Sequence, residues 1–139
     1  MKNVFGFLFL GVFLLLSCKE ERDKEEGNLG SSQITKDYIR KIPGENDTLP
    51  EELVQKGEVL IAYSDCYTCH SLEKRAKGPA FMDIAQRYPI QKAYIDMLAY
   101  RIISGGSGAW GNPVMLPHPQ ISHEEAKMMV GYILSLKEE

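Results

Sequence analysis

Cysteine is scarce in this chain. There are three in 139 residues, an odd number that does not close into a disulfide framework. Positive charge is in no excess either. The 16 Lys and Arg stand against 19 Asp and Glu, for a net charge of −3, so nothing marks a surface for nucleic acid or another polyanion. No repeat of solenoid period and no low-complexity tract is visible. No segment reaches the roughly 20 apolar residues that carry a helix across a bilayer. No run alternates apolar and polar residues as a half-buried strand does. The chain reads as one small helical domain, and the few residues able to do unusual chemistry are grouped.

The N-terminus is read apart from the domain. Met1-Lys2-Asn3 is short and positive, and Val4 to Leu16 is an uncharged apolar run. Its length suits the core of a secretory signal, about 7–15 residues; the competing reading is a short anchor that stays attached. Leu15-Leu16-Ser17-Cys18 follows and resembles the lipobox of bacterial lipoproteins, although Leu16 is a less usual occupant of its position. The resemblance implies that residues 1–17 are a lipoprotein signal peptide, cut before Cys18, whose thiol carries a diacylglycerol. The protein would then be exported and held at a membrane surface without spanning it. Residues 18–50 are expected to be a flexible tether, charged and then Gly/Ser-rich. Ile34, Tyr38, Ile39 and Ile42 make loose packing on the domain an alternative to an extended path. The compact unit is expected over residues 51–139. That size is marginal for a core built from side chains alone, and such units are commonly held by a metal, a disulfide or a cofactor.

The other two cysteines stand in Cys66-Tyr67-Thr68-Cys69-His70. This pattern fits a redox dithiol, half of a zinc site, or the attachment motif of a c-type haem. A dithiol of thioredoxin type follows a strand, and "LVQKGEVLIAYSDC" reads as helix. Zinc needs two more ligands; no cysteines are left, and His118 and His123 are isolated. Haem needs only a sixth ligand beyond the motif. Two thiols three apart on a helical turn face the same way and can add to two vinyl groups, and His70 is then placed under the iron. Export to an oxidising compartment agrees with this reading, so one covalent haem c, bound through Cys66 and Cys69, is expected.

From residue 51 onward the chain resembles the short, single-haem class I bacterial cytochromes c. The resemblance rests on the haem motif, on "KGPA" with Pro79 nine residues after His70, and on "YRIISGGSGAWGNPVMLPHPQIS". It implies an all-α class I cytochrome c fold, about four helices wrapped around the haem. It also implies roles. The Pro79 carbonyl would accept a hydrogen bond from His70 and fix its tautomer. Arg101 and Trp110 would bind the haem propionates, and His70 and Met115 would be the metal ligands. The chain departs from the family next to Met115, where Val114 and Leu116 stand and Pro113 and Pro117 lie one step further out.

Other residues receive plainer readings. Met82, Met97, Met128 and Met129 are expected as core filler. His118, between two prolines, is the competing sixth ligand or a solvated loop residue, and His123 is an exposed residue of a helix's first turn. Leu53, Gly57, Leu60 and Ile61 share a helical face, as do Tyr94, Ile95, Leu98, Arg101 and Ile102. "FMDIAQRY" is expected as a short helix ending before Pro89. The last helix should open on a Ser122–Glu125 capping box and bury Ala126, Met129, Val130, Ile133 and Leu134. Gly57 and Tyr132 are the candidates for the close crossing of first and last helices that the resemblance implies.

If protein fills both axial positions, the iron has no vacancy for substrate. The expected function is therefore a membrane-tethered periplasmic, or cell-surface, carrier of single electrons between redox protein partners, monomeric and not an enzyme. A haem enzyme or gas or peroxide sensor with a labile sixth ligand, and the redox subunit of a larger respiratory complex, are the alternatives. Lys74, Arg75 and Lys77 are candidates for a docking rim around the haem edge.

Overall fold

A computed structural model describes residues 39–137. The expected signal peptide, Cys18 and the tether as far as residue 38 lie outside the described residues. Four helices carry the domain. Helix α1 spans Glu51–Ala62, α2 Phe81–Arg87, α3 Lys92–Ser104 and α4 His123–Ser135, with a single 3-10 turn at Cys66–Thr68. None of these helices is long and apolar enough to cross a membrane.

The helix ends follow local chemistry. Glu51 and Glu52 occupy the first turn of α1, where negative charge meets the positive end of the helix dipole. At α4, Ser122 Oγ accepts from Glu125 N–H at 3.3 Å while Ser122 N–H donates to Glu125 Oε2 at 2.9 Å, the expected capping box. At α2 only half of such a box exists: Ala80 N–H donates to Asp83 Oδ2 at 3.1 Å. Helix α3 ends at Gly105, with φ of 67°, a conformation that L side chains resist.

The core lies where α4 meets the other helices. Met129, Val130, Ile133 and Leu134 from α4 are buried with Ile61 of α1, Phe81 and Ile84 of α2, and Ala99 and Ile102 of α3. Every α4 position expected on its inner face is buried. Helix α1 packs most extensively against α4, and Gly57 makes that crossing possible. A Cβ at Gly57 would run into the Met128 carbonyl oxygen and lie 2.9 Å from Tyr132 Cβ. Tyr132 is buried beside it, and burial pushes its phenol pKa up, with Tyr67 and Glu58 adding to the shift.

Three features differ from the sequence reading. A small antiparallel hairpin follows α3, with β1 at Gly106–Gly108 and β2 at Gly111–Met115. It is built mainly on glycine backbone, so it shows none of the alternation by which strands are read. Met97 is not core filler. It is 41% exposed and lines a cavity described below. Finally, the last part of the expected tether lies along the domain as an extended strap. Ile42 N–H donates to Arg87 O at 2.8 Å and Asp47 N–H to Ile90 O at 2.7 Å. Ile90 N–H donates to Asn46 Oδ1 at 2.9 Å and Gln91 Nε2 to Glu45 O at 3.1 Å. A Cβ on Gly44 would sit 2.9 Å from Pro89 Cγ, so the strap is pressed onto the α2–α3 corner.

Candidate functional site

The segment between α1 and α2 has little regular structure, yet its backbone is fixed. Across the 3-10 turn, Cys69 N–H donates to Cys66 O at 3.1 Å and His70 N–H to the same oxygen at 2.9 Å. Gly78 N–H then returns to Cys69 O at 2.8 Å, and Phe81 N–H to Ser71 O at 2.9 Å. This closes a loop that presents Cys66, Cys69 and His70 together. Burial pushes the Cys66 thiol pKa up, and the neighbouring Asp65 carboxylate pushes it the same way.

His70 is held from three sides. Its Nδ1 lies 2.7 Å from Pro79 O. A carbonyl only accepts, so Nδ1 carries the proton and Nε2 is left as the lone-pair donor for a metal. Phe81 stacks on the imidazole at 5.3 Å between centroids and 16° between planes. Gly78 passes so close that a Cβ there would lie 2.7 Å from His70 Cε1. Glycine before the proline of "KGPA" is therefore a steric requirement, one that the sequence reading, which named only Pro79 there, did not identify.

The second half of the site comes from the hairpin and the segment after it. Gly105 lies under that segment: a Cβ there would be 2.5 Å from Met115 O and 2.8 Å from Pro117 N. Arg101 Nη1 donates to Gly105 O at 3.3 Å. The Trp110 ring receives the Arg87 guanidinium at 4.7 Å and meets the Tyr88 ring edge-on at 6.3 Å. Arg87 also donates to Ala109 O at 2.6 Å, and Arg75 Nη2 to Trp110 O at 3.1 Å. Two cations thus hold the hairpin's turn, one from the loop after the haem motif and one from α2. Arg75 was expected on a docking rim with Lys74 and Lys77; although exposed, it is engaged with the distal hairpin. Arg87 carried no signal in the sequence, because its partners lie more than twenty residues away.

These two halves enclose one cavity of about 960 Å³. Its walls include Cys66, Cys69, His70, Pro79, Arg101, Trp110 and Met115, so the structure brings every expected haem-binding residue to one space. Ile61, Phe81, Ile84, Ile102, Met129, Val130 and Ile133 supply apolar lining. The size and character fit a large planar apolar group with a polar edge: two thiols, one imidazole and the side chains of Arg101, Trp110 and Met115 stand around one largely apolar space. His118 and Asp65 also line this cavity.

A sequence profile of the family described as Cytochrome c matches residues 54–137. The chain belongs to the cytochrome c family. Among its relatives, cytochrome c-552 of Hydrogenobacter thermophilus is 40% identical over 80 residues, covering 58% of this chain and 81% of that protein. Cytochrome c-551 of Azotobacter vinelandii is 36% identical over 83 residues, covering 60% of this chain and all of that protein. The crystal structure of wild-type Nitrosomonas europaea cytochrome c552 superposes with a TM-score of 0.54 at 36% identity, over 58% of this chain and 99% of that one. The fold is thus the class I cytochrome c fold, mostly helical as expected, with the small hairpin added. The cytochrome carries one covalently bound haem c, with Cys66 and Cys69 as the thiols of its Cys-x-x-Cys-His motif, and its chemistry is electron transfer.

Proposed function

We propose that this cytochrome is a membrane-tethered carrier in the periplasm, its iron held by His70 and Met115, passing single electrons between redox proteins as a monomer. Bound haem supplies a one-electron iron couple; the protein fixes that couple's surroundings. The observation that carries the reading is the convergence of His70 and Met115 on one cavity, with His70 oriented through Nδ1 to leave Nε2 for the metal. His118, the competing ligand, has Nδ1 3.3 Å from Ile102 O and Nε2 3.3 Å from Asp65 Oδ1. Both of its nitrogens already face protein oxygens, which favours Met115. Arg101 and Trp110, at the cavity wall, are the proposed partners of the propionates. With His70 and Met115 both held to the metal, no position would be left for a substrate, which suits a carrier better than a catalyst. A thioether ligand favours Fe(II) and raises the potential.

The test is the visible spectrum of the purified holoprotein with its haem stoichiometry. One haem per chain, low-spin in both redox states, is expected. The oxidised form should show the weak long-wavelength band of an Fe(III)–thioether bond, and the reduced form should bind carbon monoxide poorly at neutral pH. A high-spin native protein would sink the reading and move a gas- or peroxide-binding role ahead of it.

The membrane tether rests on Leu15-Leu16-Ser17-Cys18 and the apolar run before it. Cys18→Ala should leave haem attachment intact while the protein leaves the membrane fraction or stays uncleaved. Fractionation and processing identical to the parent would remove the lipid anchor. Because the strap over residues 42–47 is bonded to the domain, the tether proper ends before Ile42, shortening the radius within which partners are met.

A further inference from the structure

The segment after Met115 is Leu116-Pro117-His118-Pro119-Gln120. Proline has no N–H, so His118 supplies the backbone donor between Pro117 and Pro119. That N–H is shared between Ile102 O and Ile103 O, both at 3.1 Å, in the last turn of α3. The His118 side chain, 16% exposed, spans from the same helix end to the attachment turn: Nδ1 lies 3.3 Å from Ile102 O, while Nε2 lies 3.3 Å from Asp65 Oδ1. Asp65 is the residue immediately before Cys66. One residue therefore joins the end of α3, the segment that bears Met115, and the turn that bears the haem thiols.

We propose that His118 is a positioning residue that clasps the distal segment to the haem-attachment turn through Asp65 and so slows the departure of Met115 from the iron. The proposal rests on Met115 being the sixth ligand. Its physical basis is the way a ligand leaves. Met115 sits at the C-terminal end of β2, so its sulfur departs by a swing of the segment that follows. N-terminal to it, Arg75 and Arg87 hold the hairpin turn at Trp110 and Ala109. C-terminal to it, the Pro-His-Pro segment has the His118 backbone and ring as its ties. Releasing the ring loosens the segment, whose backbone bond to α3 remains, while the fold's core, which His118 does not fill, stays packed. Asp65 has a side chain 72% exposed, and water weakens such a pair, so the effect is a moderate one on rate.

The experiment uses the ferric, haem-loaded protein and imidazole as the incoming ligand. At high imidazole the observed rate of complex formation levels off at the rate of Met115 departure. His118→Ala should raise that plateau roughly twofold to fivefold, as expected for loss of a polar contact with a largely exposed carboxylate. Asp65→Asn should raise it in the same direction by less. The double variant should be no faster than His118→Ala alone, since both remove one interaction. His118→Gln, which keeps an N–H at the end of a polar side chain, should recover part of the loss. His123→Ala, exposed at the start of α4, should change nothing. If the thioether band is present in the wild type and His118→Ala and Asp65→Asn leave the plateau unchanged, or multiply each other's effects, the clasp is wrong while the Met115 ligation stands. Absence of that band in the wild type would remove both. Should His118→Ala not accumulate, Asp65→Asn and His118→Gln decide: both at the wild-type plateau would overturn the proposal.

Discussion

Met115→Ala is expected to turn a closed haem into an open one. Met115 lines the cavity from the end of β2, and no other methionine stands in that segment. Without the thioether, water or an added ligand takes the sixth position, the long-wavelength band disappears, and carbon monoxide binds readily to the reduced form. The potential should fall by something on the order of 0.1–0.2 V, a part of the roughly 0.8 V that axial ligands command. Haem should stay attached, because the bonds to Cys66 and Cys69 do not depend on the distal side. Met97→Leu is the informative control. Met97 lines the same cavity, and at 41% exposed it is no buried core residue. If Met97→Leu abolished the band and Met115→Ala did not, the ligand assignment would have to change. Spectra and redox titrations of the two variants measure both outcomes.

Gly57→Ala should destabilise the folded cytochrome, against the sign that helix propensity alone predicts. In an ordinary helix interior, replacing Gly by Ala gains about 0.5–1 kcal/mol. Here the new Cβ would strike the backbone carbonyl of Met128, with Tyr132 Cβ 2.9 Å away. Backbone cannot turn aside as a side chain can, so α1 and α4 must separate along their shared contact. Overpacking of this kind costs about 1–3 kcal/mol, set against a total stability of about 5–15 kcal/mol. In a domain of this size each kcal/mol lowers the melting midpoint by about 4–8 °C. Gly131→Ala makes the comparison sharp. A Cβ at Gly131 would meet first the Leu53 Cδ2 methyl, the far end of a half-buried side chain that can rotate. Its effect should be near neutral. Equal melting midpoints for the two variants would mean that the α1–α4 crossing is looser than its geometry indicates.

Much of the fold was legible because it is written at short range. Cys66, Cys69 and His70 fall within one turn, and their chemistry follows from that spacing. The inner face of α4 follows from a 3.6-residue period, and its start from Ser122 and Glu125 three residues apart. Pro79 is near enough to His70 in the chain for "KGPA" to be informative, although the need for Gly78 beside the ring shows only in the structure.

The interactions that were not legible join residues brought together only by packing. Arg87 reaches Ala109 and Trp110, Arg75 reaches Trp110, and His118 reaches Asp65, each across a gap that no local period spans. Read along the chain, Arg75 is one of three neighbouring cations and His118 a loop histidine; in space one holds the distal hairpin and the other bridges two sides of the cavity. The β1–β2 hairpin escaped the reading because glycine backbone forms it without a side-chain pattern. Met97 was misplaced because its period says only that it lies in an apolar helical pattern, and its own side chain lines the cavity instead of joining the core that Ala99 and Ile102 form with α4. The strap at residues 42–47 has too few apolar residues to announce burial. Its hold on Arg87, Ile90 and Gln91 comes from backbone and amide groups, whose partners exist only once α2 and α3 have met at their corner.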